Sequence, residues 1–198
     1  MCLDTIFFNT GTAIKVPKTF FIMKNFHLTA DMAVCLLRGM NNSYETKELK
    51  DIVRAVWETN FPVSRLNLTI EDCWINPLSM DWNTAVPYED YMKAIILDAE
   101  EGKTGTIIVK FPAESSESNT LHNHPISDRV ITVYDGSGTF IYVKDGEIHR
   151  VRLVVGDTVF MPRGVLHTFL AGKDGMIVSS IHNPYVPIEH PKCLVEYK

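Results

Sequence analysis

The residues best suited to chemistry in this sequence are its histidines, six of which, out of seven, lie at or after position 122. His122 and His124 stand two apart in LHNHP. In an extended strand residues i and i+2 point to the same side, so both imidazoles can be offered to one ion. A third histidine from a neighbouring strand would complete one face of a coordination shell. His167, in GDTVFMPRGVLHTF, is the candidate. Neutral imidazoles suit iron, nickel, copper or zinc. An H-x-H pair alone is weak, because single histidines also sit hydrogen-bonded on ordinary core strands.

Strands are needed to hold such a set, and the sequence supplies them from Tyr91 onward. KAIILDA, GTIIVKF, RVITVYD, GTFIYVK, IHRVRLVV, DTVFM, HTFLAG and MIVSSIH follow a period of two and are separated by glycine-containing turns. Short β-rich runs at this spacing predict an antiparallel sandwich or barrel. Asp145-Gly146 is the clearest hairpin turn, since Asp-Gly accepts the positive φ angles of type I′. The first part of the chain reads differently. A short helix is expected over about residues 30–40. A second follows in ETKELKDIVRAVWETN, where Leu49, Ile52, Val53, Val56 and Trp57 share one face that should pack on the body of the protein.

Composition removes several functional classes. The net charge is −5, with 9 basic and 13 acidic residues over positions 1–100 and 10 and 11 over 101–198. Neither half offers the basic face that a phosphate backbone requires, so no nucleic-acid partner is expected. No apolar run approaches the roughly 18 residues of a membrane span, and Asp4 stands where a signal peptide would be basic. A soluble cytoplasmic protein with no membrane partner is expected. Cys2, Cys35, Cys73 and Cys193 are widely spaced. They read as buried reduced thiols rather than a zinc site or disulfide framework.

Two spaced motifs carry a family resemblance. Gly156, Pro162, Gly164 and His167 keep the full spacing of the second signature of the cupin superfamily, and His122-x-His124 followed by Gly136 resembles the first. The chain is similar to cupins over roughly residues 90–185. The resemblance implies a small jelly-roll barrel with a divalent metal inside one end, held by His122, His124 and His167. It also brings departures. The slot seven residues before the glycine, usually Glu, is Arg129, with Asp128 beside it. Either Asp128 turns inward as a shortened carboxylate ligand, or Arg129 faces the cavity of a three-histidine centre and binds an anionic group of the substrate. The kept spacing favours the three-histidine arrangement. Alternation does not decide, because the residues in phase with each are apolar. Ser116 and Ala171 replace a glycine and an asparagine of the family pattern.

The expected architecture is therefore mainly β: an antiparallel jelly-roll cupin barrel over residues 89–198, with an α-helical N-terminal extension over 1–88 packing on it. Phe160, Met161, Val165, Phe169 and Ile181 are expected to line the barrel, and His149 to be solvated. The expected function is a metal-dependent cupin enzyme, a mononuclear non-haem iron dioxygenase acting on a small organic substrate. The metal ligands would be His122, His124, His167 and Asp128, with Arg129 and His182 as catalytic groups. The ion is one divalent transition metal, Fe(II) first and Ni, Mn, Zn or Cu as alternatives. A non-catalytic binding or sensor cupin, or a Lewis-acid isomerase or lyase, would use the same cup. A homodimer is expected.

Overall fold

The protein is described by a computed structural model. It covers residues 3–7, 13–17, 46–58, 62–65, 79–88, 92–113 and 120–197. The helix expected over 30–40, and Cys2, Cys35, Cys73, Trp74 and Ser116, lie outside the described residues.

Strands β1 (Leu3–Phe7) and β2 (Ala13–Pro17) pair as an antiparallel hairpin. Helix α1 (Thr46–Glu58) follows, then β3 (Val63–Arg65), a short 3₁₀ turn at Trp82–Thr84, β4 (Val86–Tyr88), β5 (Met92–Asp98) and β6 (Gly105–Phe111). The remainder is β7 (His122–Asn123), β8 (Asp128–Lys144), β9 (Glu147–Val154), β10 (Asp157–Met161), β11 (His167–Asn183) and β12 (Val195–Glu196). Ten strands form one curled antiparallel sheet in the order β3-β10-β8-β11-β6-β5-β4. Off this path β9 pairs with β8, and β7 lies between β11 and β12. The sheet thus recruits two strands that precede residue 89, and the N-terminal region contributes strands as well as a helix.

Period-two alternation sorts the side chains. On β6, Ile107, Val109 and Phe111 enter the barrel core, while Ile108 points out and packs with Ile177 against Met80 and Trp82. On β11, Met176 and Val178 point in. The register of the two long strands shifts between Ile177 and Val178 and, more widely, at a bulge between Ala171 and Met176. Opposite that bulge Gly136 adopts φ +74°, and an added Cβ would lie 2.2 Å from the Gly175 carbonyl oxygen. Only glycine lets β8 and β11 approach so closely there. At the β8–β9 hairpin Asp145 (φ 54°) and Gly146 (φ 81°) make the tight turn read from the sequence.

Helix α1 covers the outer face. Leu49, Ile52, Val53 and Val56 form a buried cluster with Val130, Phe160 and Ile181. These three are register partners on adjacent strands, Val130 opposite both Phe160 and Ile181. Phe160 and Ile181, expected in the barrel lining, therefore belong to the helix dock, whereas Met161 and Phe169 are in the core and Val165 packs against it. One residue along each strand, Arg129, Met161 and His182 are likewise partners and point the other way. His149 is half-buried rather than solvated, stacked on Tyr142 at 5.0 Å between ring centroids. Among the described residues no helix is long and apolar enough to cross a membrane.

Candidate metal centre

The sheet brings His122, His124 and His167 together. His122 on β7 is the register partner of His167 at the start of β11, and His124 follows immediately after β7. One ring nitrogen from each lies within 4.8 Å of the others, and all three residues are buried. The loop carrying the second motif is tied to the first, because the Gly164 N–H donates to the His124 carbonyl at 3.0 Å.

Each imidazole is oriented by backbone. The Nδ1 of His122 bonds the Thr120 carbonyl at 3.2 Å, that of His124 the Cys193 carbonyl at 2.6 Å, and that of His167 the Val165 carbonyl at 2.8 Å. A carbonyl oxygen only accepts, so Nδ1 carries the proton in each ring and Nε2 keeps the lone pair for a ligand bond. Holding a ligating histidine through its other nitrogen is the usual outer support of metal sites. Burial lowers the His122 pKa to about 4, with the backbone bond to Thr120 opposing and Arg129 adding to the shift. Burial likewise holds His124 and His167 well below the ordinary range, with further lowering of His124 by Arg129, His167 and His122 and of His167 by His122 and Arg129. Three neutral imidazoles with fixed tautomers fit a divalent transition metal.

The cluster opens on a small, largely enclosed cavity. Its apolar wall is made by Met92, Val109, Phe111, Ile131, Phe169 and Val178. Arg129 also lines it and is 1% exposed. Its Nη1 donates to the imidazole of His182, at 2.6 Å from Nδ1. His182 is itself neutral, its pKa lowered first by burial and then by Arg129, and it also bonds Ser180 Oγ at 3.0 Å. His182 thus reaches the site through Arg129. Asp128 faces the other way. Its carboxylate accepts from the Arg163 backbone N–H at 2.9 Å and from Arg163 Nη2 at 2.6 Å, and it does not join the histidine cluster. Its phase explains this: Asp128 shares the outward face of β8 with Val130, and Arg129 the inward face with Ile131 and Val133.

Sequence reasoning did not find the C-terminal segment. β12 pairs with β7, Val195 opposite Asn123 and Glu196 opposite His122, and the Tyr197 N–H donates to the Leu121 carbonyl at 2.8 Å. With the Cys193 carbonyl on His124, this segment closes the outer side of the two-residue strand that bears the H-x-H pair. Main-chain groups do this work, so no side-chain signal announces it.

A curled antiparallel jelly-roll sheet thus carries three buried, convergent imidazoles that could hold a metal ion. The family model described as Cupin matches residues 103–185, so this part of the chain is similar to the cupins. No curated protein sequence matches the chain. Solved structures that resemble it include Fe(II)-HppE with the alternative substrate (S)-1-HPP, at 13% identity and TM-score 0.42, over 52% of this chain and 57% of that one. Salicylate 1,2-dioxygenase from Pseudoaminobacter salicylatoxidans aligns at 15% identity and TM-score 0.41, over 50% of this chain and 26% of the other. Vicilin from Solanum lycopersicum aligns at 15% identity and TM-score 0.43, over 52% and 30%. The chain spans less than two thirds of each of these three proteins.

Proposed function

We propose that this protein is a metal-dependent cupin enzyme, a mononuclear non-haem iron dioxygenase that holds one divalent transition metal, Fe(II) foremost, on His122, His124 and His167. The observation that supports this reading most directly is the triple Nδ1–carbonyl arrangement, which commits all three rings to presenting Nε2. Three protein ligands on one side leave coordination positions open for small molecules, as catalytic sites require. The bound ion would supply the redox chemistry with dioxygen. The chain's own residues do the rest: the apolar wall keeps water from the reacting centre, and the barrel strands hold the substrate's position.

Elemental analysis of protein purified without added metal tests this, with about one transition metal per chain as the expected result. His122→Ala should abolish loading while the fold persists by circular dichroism. Protein that carries no metal, with a fold unaffected by that substitution, overturns the enzyme reading. Oxygen consumption by the iron-loaded protein with thiols, diols and carboxylates then separates a dioxygenase from Lewis-acid chemistry in the same cup.

A further inference from the structure

Arg129 is the largest fully buried side chain among the described residues, and no carboxylate there pairs with it. The nearest acid in sequence, Asp128, is engaged by Arg163. Arg129's contacts are a neutral imidazole at Nη1, the Cys193 thiol 3.8 Å from Nη2, and the His124 Nδ1 3.3 Å from Nη2. The last cannot accept, since that nitrogen donates to the Cys193 carbonyl. Nε has no hydrogen-bond partner among the described residues. A guanidinium keeps its charge in proteins, and a buried charge without a counter-charge is costly.

Such a cation is retained where an anion completes it. Nη1 is occupied by His182, which leaves the edge formed by Nε and Nη2, a planar fork matched to the two oxygens of a carboxylate. The adjoining wall of the cavity is apolar, as suits the carbon part of a small molecule. We infer that the cavity takes a small carboxylic acid, its carboxylate on the Nε–Nη2 edge of Arg129 and its apolar part against Phe111, Phe169 and Val178. His182 and Ser180 are positioning residues that fix the guanidinium from behind. The inference deepens the enzyme reading and rests on it for the substrate's fate, but carboxylate binding itself needs no metal.

The test uses the full-length protein, as purified and after chelator treatment, titrated calorimetrically with propionate and with its neutral isostere propionamide. Propionate is expected to bind at least about tenfold more tightly in both forms, because the amide leaves the buried fork without its charge partner. Arg129→Gln is expected to bring the two affinities together. In low-salt buffer Arg129→Met should raise the melting temperature of the ligand-free protein, since it removes an uncompensated charge, and should abolish the further rise that propionate gives the parent. Equal binding of acid and amide by the parent protein overturns the inference, as does a preference that survives Arg129→Gln. Co(II) absorption on the same samples keeps the two proposals apart. A carboxylate preference in protein that takes up no Co(II) removes the metal reading and keeps this one, whereas Co(II) uptake without the preference overturns this one alone.

Discussion

Ending the chain at Pro191 should loosen the metal centre while leaving the barrel folded. The deletion removes the Cys193 carbonyl that holds His124 Nδ1 at 2.6 Å, the β12 partner of the strand bearing His122, and the Tyr197-to-Leu121 bond. The main core cluster contains none of the removed residues. The fold loses a few hydrogen bonds and one buried thiol, about 1–3 kcal/mol out of the roughly 5–15 kcal/mol typical of a domain. For metal binding, losing the outer partner of a histidine ligand costs about 10–100-fold in affinity, or ~1.4–2.7 kcal/mol. Co(II) titration followed by its visible absorption gives the dissociation constant, and the band shape reports ligand geometry. Cys193→Ser keeps the carbonyl and serves as the control with unchanged affinity. If the shortened protein melts cooperatively and binds Co(II) within threefold of the full chain, with the same spectrum, the C-terminal segment has no hold on the ligands and the reasoning fails.

Three further outcomes are expected of the same fold. Acid should destabilise the metal-free protein through its buried histidines: His122, with a folded pKa of about 4 against 6.5 unfolded, contributes stability that is complete above pH 6.5 and lost as pH falls toward 4, ~3 kcal/mol in all. Urea midpoints at pH 7.5 and 4.5 for the parent and His122→Gln check this, the variant showing the shallower dependence. Asp128→Asn should cost about 1–3 kcal/mol in chemical denaturation by weakening the charged bonds to Arg163, yet shift Co(II) affinity less than about tenfold; loss of metal binding would make Asp128 a ligand after all. Gly136→Ala should destabilise by more than ~2 kcal/mol, since its Cβ meets the Gly175 carbonyl and its φ is positive, and a neutral urea midpoint would contradict the close approach of β8 and β11.

Much of the barrel was legible because its strands carry a period-two pattern and its turns carry Gly and Asp at positions that demand positive φ. Asp145-Gly146 shows this directly. The pattern was silent at Asp128 and Arg129 for a physical reason. Strand β8 is buried on both faces there, inward by the barrel core and outward by α1, so Val130 and Ile131 are equally apolar and alternation carries no phase. The same covered outer face misled the reading of Phe160 and Ile181. Strand β3 escaped notice because three residues are too few to show a period.

The candidate site divides along the same line between side chain and main chain. Its three imidazoles stand in the sequence as residue types at recognisable spacing. What orients them are the carbonyls of Thr120, Val165 and Cys193, and every residue has a carbonyl. The register of β7 between β11 and β12 selects which carbonyls serve, and that register is set by distant pairings such as Val195 with Asn123. Helix α1 acts on the site by a similar indirection. It buries Val130, Phe160 and Ile181 from outside, and so fixes the strands whose next residues inward are Arg129 and His182. A substitution in that dock, such as Phe160→Ala, would cost about 3–5 kcal/mol of packing and reach the guanidinium without touching the cavity. The N-terminal helix, which carries no chemistry of its own, is in this sense part of the support of the site.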